Sequence, residues 1–310
     1  MSELFIDGRW APAADGATRT ITCPADGEVV GTVAEAGATD AEQAVAAARR
    51  AFDAGEWSAL PTPERADLVS RLADALEAEK EEVARLEALD TGKRMVEARI
   101  DMDDVIGVFR HFAALGQQHA GRVVDTGMPD VESRVVHEPV GVCALITPWN
   151  FPLLQTSWKV APALVAGNTF VLKPSENTPH TAVWLLRTLE RLGLPAGVGN
   201  LVLGPGDPVG TVITEHPDVD LVSFTGGLRT GRRIMAAAAP TVKNIALELG
   251  GKNPFVLFAD ADLDAAIDNV VTAIFLDAGQ VCSAGSRLVV EESVHDRVVD
   301  EVVRRAEQIR

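Results

Sequence analysis

Cysteine is scarce in this 310-residue sequence. Cys23, Cys143 and Cys282 are too few and too scattered for a disulfide framework, so a reducing, cytoplasmic compartment is expected. Histidine is scarce too: six residues form no cluster at metal-ligand spacing, so no metal site is expected. Basic residues are outnumbered, 28 Lys and Arg against 45 Asp and Glu, for a net charge of −17 at pH 7. That balance repels nucleic acid and anionic membrane and leaves neither as an expected partner. No apolar run reaches the length of a membrane span. The opening stretch, Met1 to Trp10, lacks the basic segment and apolar core of an export signal. Internal repeats and low-complexity tracts are also missing.

What remains is an ordinary globular composition, 47% apolar and 24% charged, with enough chain for two domains. Residues 39–119 read as helical. From Glu64 to Leu89, Leu68, Leu72, Leu76, Val83 and Leu86 recur at three- to four-residue steps between charged residues, and Pro61 and Pro63 punctuate the start. Residues 121–140 carry two short Val-rich runs around Gly127 and Pro129, the pattern of a hairpin arm. From Val140 onward, apolar runs at Val140–Ile146, Thr169–Leu172, Asn200–Leu203, Asp220–Phe224 and Asn244–Leu247 alternate with helical stretches such as Thr181–Leu192 and Gly227–Ala239. That alternation predicts an α/β fold with a mostly parallel, Rossmann-like sheet. A second alternating set begins at Phe255 and includes Asp262–Leu276, Arg287–Val290 and His295–Ile309.

Two residues stand out chemically. Glu248 ends an apolar run ahead of Gly250-Gly251, and Cys282 sits in Gly279-Gln280-Val281-Cys282 ahead of Ser286-Arg287. A thiol and a carboxylate are the groups needed to form an acyl thioester and then hydrolyse it. By itself, a lone cysteine among Ala, Gly and Ser reads as a small buried residue, and the acid as a turn cap. Lys173 and Glu176, in Val171-Leu172-Lys173-Pro174-Ser175-Glu176, are either an exposed ion pair or a clamp for the two hydroxyls of a ribose. Gly206 and Gly210 lie in a Gly- and Pro-rich turn after a strand. They form either a plain turn or a backbone cradle for a pyrophosphate at a helix N-terminus. Cys143, inside an apolar run, reads as core, and Cys23 as structural.

The Glu248 and Cys282 segments, with their separation, closely resemble the catalytic motifs of the NAD(P)-dependent aldehyde dehydrogenase family, from about Phe5 to Arg310. The resemblance implies Cys282 as nucleophile and Glu248 as the base that activates water. It implies Asn150, in Thr147-Pro148-Trp149-Asn150-Phe151-Pro152, as an oxyanion donor. Lys159 is read either as a proton-relay or structural residue beside the base, or as a helix lysine in an ion pair. The implied cofactor surface comprises Ile146, Thr147, Pro148, Trp149, Lys173, Ser175, Glu176, Gly206, Gly210, Phe224, Thr225, Gly226, Gly227, Leu249 and Gly250. A carboxylate at 176 would repel a 2′-phosphate and so favours NAD over NADP. Gly227 and Arg229 depart from the family pattern, which usually has a serine and an acid there. Coenzyme-A-acylating relatives usually lack the carboxylate of Glu248, so water is the expected acyl acceptor.

The resemblance also implies a NAD-binding domain over residues 1–120 and 138–249, an oligomerisation arm over 121–137 and a partial catalytic domain over 250–310. A homodimer or homotetramer is expected of the full-length protein. The sequence is most like bacterial members that act on betaine aldehyde, in which aromatic faces hold a trimethylammonium group; Phe151 and Trp158 are candidates for such a tunnel. The family's chain is usually longer by roughly half again. The expectation is therefore a chain that stops inside a helix at Gln308-Ile309-Arg310, exposes apolar surface from Phe255–Phe258 and Val298–Ile309, and has little aldehyde-oxidising activity alone. A non-catalytic nucleotide-binding or subunit-partner fragment is the rival reading.

Overall fold

The computed structural model describes residues 2–118 and 120–309. The expected helix end at His119, and Met1 and Arg310, lie outside them. Contacts divide the chain into two units, Met1–Glu248 and Leu249–Arg310.

In the first unit, β1 (Leu4–Ile6) and β2 (Arg9–Ala11) form a hairpin. Asp7 and Gly8 turn it at φ 53° and 73°, the left-handed conformation that a two-residue hairpin turn of this type demands. A second hairpin joins β3 (Thr18–Thr22) and β4 (Val29–Ala34). Four helices come next: α1 (Ala38–Ala54), α2 (Thr62–Ala78), α3 (Lys80–Thr91) and α4 (Met95–Gln118). The continuous periodicity from Glu64 to Leu89 is therefore split. Glu79 ends α2 and starts α3 at φ −105°, ψ 14°. Its carboxylate accepts hydrogen bonds from Trp184 Nε1 and Arg191 Nη2, both at 2.7 Å. Tertiary partners thus accompany a break that the apolar spacing does not register. The arm is present as β5 (Arg122–Val124) paired antiparallel with β6 (Ser133–Val135).

The rest of the unit runs β7 (Val142–Ile146), α5 (Pro152–Ala166), β8 (Thr169–Lys173), α6 (His180–Arg191), β9 (Gly199–Leu201), α7 (Thr211–Glu215), β10 (Leu221–Gly226), α8 (Leu228–Ala238) and β11 (Asn244–Leu249). Each expected strand forms within two residues of its predicted start. The sheet has seven strands in the order β11-β10-β7-β8-β9-β1-β2, and the β10-β7-β8-β9 pairings are parallel. Every residue of β7 and β8 is buried, as expected for parallel strands covered on both faces. The antiparallel addition of β1 to β9, through Phe5 and Leu201, was not legible in the sequence.

Parallel register brings the cofactor candidates level. Ile146 lies opposite Lys173 on one side and Phe224 on the other, so three of them share the carboxyl edge of neighbouring strands. The chain leaves β7 for β8 and β9 on one side, then crosses back to β10 on the other. That is a topological switch point, where open α/β sheets form their ligand crevice.

The second unit pairs β12 (Pro254–Leu257) parallel with β13 (Arg287–Val290), with α9 (Leu263–Phe275) between them in sequence and α10 (His295–Ala306) after. Asp262 caps α9, its Oδ1 accepting from Ala265 N at 3.3 Å. Leu257, Leu263, Ile267 and Val298 form its core. Two expectations need correction. Val298 is fully buried in that core rather than exposed, while Val256, Phe258 and Val303 are more than half exposed. The last helix ends at Ala306, so Gln308 and Ile309 lie past it rather than inside a helix.

Candidate active site

A cleft of about 820 Å³ opens at the switch point. Its walls are the segment after β7 (Ile146, Thr147, Pro148, Trp149), the end of β8 with Ser175 and Glu176, the Gly206–Gly210 turn, and the end of β10 through Gly227. Thirteen of the fifteen expected cofactor residues line it. Leu249 and Gly250 do not; they belong to the second unit.

Lys173 is buried at the floor, its Nζ donating to Pro174 O at 3.0 Å and to Glu176 Oε2 at 3.5 Å. Burial pulls its pKa below the usual lysine value, and Glu176 only partly offsets this. The pair is thus not the exposed surface bridge that the sequence left open. Glu176 keeps a third of its side chain open to the cleft, as a carboxylate must to meet a ligand hydroxyl. A Cβ at Gly226 would lie 2.5 Å from the Phe224 ring, so any larger residue there would force that ring to shift. A side chain at Gly227, by contrast, would meet open space, so the departure from serine leaves room rather than strain. The Gly206–Gly210 turn is extended at Asp207 (φ −122°, ψ 123°), and the helix after it, α7, has only five residues. Of the two readings, plain turn or backbone cradle ahead of a helix, the turn does lead directly into a helix, though a short one whose few aligned peptide units carry little dipole.

Sequence reasoning missed one wall of the cleft. Thr230, Arg233, Ile234 and Ala237 on α8 all line it. Their i, i+3, i+4, i+7 spacing marks one helix face and was available as a signal. Arg233 adds a cation to a cleft that already holds Lys173.

Asn150 comes just after the cleft wall in a loop without regular structure, half-buried. Its backbone oxygen accepts from Lys93 Nζ at 2.9 Å, and the same ammonium lies 4.2 Å from the Phe151 ring centroid. One face of Phe151 is therefore already covered by a cation of the protein itself. Trp158 is 46% exposed on α5.

Lys159 is buried on α5, and its Nζ donates to Ser223 Oγ of β10 at 3.1 Å. Burial lowers its pKa to about 8, opposed by the charge of nearby Glu248. Glu248 is near enough to act on this ammonium electrostatically, but among the described residues no carboxylate closes an ion pair with it. The linkage has a definite sign. Below pH 8 the folded and unfolded chains both carry the proton, and the full burial penalty applies. Between pH 8 and 10.5 the unfolded chain binds a proton that the folded lysine has lost, so stability rises with pH. Relative to Lys159→Met, the wild-type chain is expected to gain up to about 3 kcal/mol across that window. Urea unfolding at pH 7.5 and pH 10 measures it; an identical pH response in both proteins would contradict the buried, proton-poor lysine. Glu248 itself is exposed near the end of β11.

Cys282 is exposed in the second unit, not the small buried residue of the alternative reading. Its loop is held from β12: Asn253 Nδ2 donates to the backbone oxygens of Cys282 (3.0 Å) and Ala284 (3.3 Å). Arg287 Nε donates to Lys252 O at 2.9 Å. Upstream, Asp277, Ala278 and Gly279 have φ of 49°, 53° and 79°. Two non-glycine residues in the left-handed region are uncommon, and such backbone clusters at functional loops. Cys143 and Cys23 are both buried, and burial pushes the Cys143 thiol up to about 12, with Asp220 adding to the shift. Among the described residues no group of three or more metal-ligating side chains converges, and no helix is long and apolar enough to cross a membrane.

Comparison with known proteins agrees with this architecture. Residues 10–310 match the model of the aldehyde dehydrogenase family. The betaine aldehyde dehydrogenase of Bacillus subtilis (strain 168) is 53% identical over 307 residues, covering 99% of this chain and 63% of that protein. An aldehyde dehydrogenase of Emericella nidulans is 42% identical, with 98% and 61% covered. A crystal structure of betaine aldehyde dehydrogenase from Staphylococcus aureus in complex with NAD+ superposes with a TM-score of 0.98 at 48% identity, covering all of this chain and 62% of that one. The chain thus spans about three-fifths of the length of these relatives. With the parallel sheet, the switch-point cleft and the Glu248 and Cys282 segments in place, the chain belongs to the aldehyde dehydrogenase family.

Proposed function

We propose that this chain carries the NAD-binding and nucleophile-bearing part of an enzyme that oxidises an aldehyde to the carboxylic acid. The observation that carries the reading is the switch-point cleft, in which thirteen expected cofactor residues converge around buried Lys173 and partly open Glu176. Those residues fit a dinucleotide: a cation and a carboxylate at a strand end suit ribose hydroxyls, and Arg233 and the glycine turn suit phosphates. NAD, when bound, accepts the hydride.

The chain's own residues do the rest. An aldehyde carbon releases hydride readily only once it is tetrahedral, and the Cys282 thiolate makes it so by addition. The Asn150 side-chain amide donates to the oxyanion of that adduct. After hydride departs, an acyl thioester remains on Cys282, and Glu248 takes a proton from the water that hydrolyses it. Lys159, beside Glu248 and poised to titrate near pH 8, tunes that base. Betaine aldehyde is the substrate we propose, supported by 53% identity to a betaine aldehyde dehydrogenase. A homo-oligomer contacting through the 121–137 arm and a cytoplasmic location complete the reading. An aldehyde panel with NAD tests it; turnover of simple aliphatic aldehydes with none of betaine aldehyde would reject the substrate assignment.

Glu176→Gln is expected to raise the ratio of NADP to NAD efficiency by roughly tenfold, because a charge facing the 2′ position is removed at surface-cleft dielectric. Steady-state kinetics with both cofactors give the ratio. If it is unchanged, Glu176 does not face the ribose.

A further inference from the structure

A group of buried charged side chains lies beneath the loop that carries Asn150. Lys93, just after α3, is fully buried and pairs with Asp101 of α4 at 2.5 Å, itself only 7% exposed. A buried pair of this kind is weak support for overall stability, because two desolvated charges largely offset their mutual attraction. Its better-attested use is to fix a geometry. Here the ammonium also donates to the Asn150 backbone oxygen at 2.9 Å and covers the Phe151 ring at 4.2 Å. Two consecutive residues are thus held by one cation. One turn further on, buried Glu87 of α3 accepts from the Leu153 backbone N–H at 3.4 Å, at the start of α5. The same two elements, α3 and the loop after it, therefore grip the chain at residues 150, 151 and 153. The segment between β7 and α5 has no ladder of its own to set its course.

We propose that Lys93 is a positioning residue: anchored by Asp101, it fixes the backbone of Asn150 and so sets the direction of the Asn150 side-chain amide. The proposal rests on the reading of Asn150 as the oxyanion donor. A charge-assisted bond to the backbone of the very residue whose side chain acts is a direct means of aiming it. Misplacement of a reacting group by about 1 Å is enough to cost on the order of a hundredfold in rate.

The test uses Lys93→Met and the double variant Lys93→Met/Asp101→Leu, which leaves no unpaired buried carboxylate at position 101. Hydrogen exchange needs no turnover. In the double variant the amides of residues 153–155 are expected to exchange at least tenfold faster, with β8 and α6 unchanged. Equal protection would overturn the proposal, and so would failure of the double variant to fold, since the pair would then act on the whole fold. Single-turnover hydride transfer to NAD supplies the second measurement. The double variant is expected to be about thirtyfold slower with aldehyde KM within threefold. Asn150→Ala added to it should cost less than a further threefold, though it costs a hundredfold or more in the wild type. Additive effects would show that Lys93 does not act through Asn150. If Asn150→Ala alone leaves hydride transfer intact, the oxyanion reading fails, while hydrogen exchange still decides whether Lys93 holds the loop.

Discussion

In the complete enzyme, replacing Cys282 with alanine is expected to reduce aldehyde-dependent NADH formation by at least about 10⁴-fold, with acyl-enzyme undetectable by intact mass. Removing a covalent nucleophile from a concerted set costs that much or more, because the remaining groups then serve no adduct. Cys23→Ala and Cys143→Ala are the controls. Both thiols are buried out of reach of substrate, and burial also holds the Cys143 thiol up at about 12. Both variants should retain acylation and turnover, at the cost of a small cavity. Substantial turnover by Cys282→Ala would falsify the nucleophile assignment.

Asn150→Ala and Glu248→Gln are expected to strike different steps. Loss of one oxyanion donor costs about 2.7–4 kcal/mol of transition-state stabilisation, which slows hydride transfer by roughly 10²- to 10³-fold. Glu248→Gln leaves thiol and amide in place but removes the carboxylate that activates water. Hydrolysis of the acyl-enzyme should slow by about 10²- to 10⁴-fold, the usual contribution of a positioned base. Single-turnover traces then diverge: Asn150→Ala loses the rapid NADH burst, whereas Glu248→Gln keeps the burst and accumulates acyl-enzyme. Equal slowing of both phases in Glu248→Gln would mean that this carboxylate also assists acylation.

How much of the fold and the site is legible in the sequence depends on how local the cause is. The strands β7, β8 and β9 announce themselves as apolar runs because parallel strands are buried on both faces. The candidate cofactor residues Ile146, Lys173 and Phe224 lie level at strand ends because parallel register aligns those ends. Where a distant partner decides, the sequence is silent. The break at Glu79 accompanies bonds from Trp184 and Arg191, over a hundred residues away, while the apolar spacing continues across it. Leu4–Ile6 is too short to read as a strand until β9 pairs with it. Lys93, Asp101 and Glu87 look like the charged residues of solvated helix faces; only tertiary packing, which a sequence does not display, buries them. The brevity of α7 escapes a sequence reading because the Gly- and Pro-rich turn before it specifies a loop but not the length of the next helix.

The uneven burial of the three thiols has a practical consequence for anyone handling the protein. Cys282 is exposed whereas Cys23 and Cys143 are sealed, so the folded chain offers a single address for a maleimide, a fluorophore or a spin label without prior mutagenesis. Titration with a chromogenic disulfide should release one equivalent in native buffer and three in denaturant. The difference counts intact molecules directly. A preparation that releases more than one equivalent before denaturant is added contains opened chains, and one that releases less has lost the Cys282 thiol to oxidation.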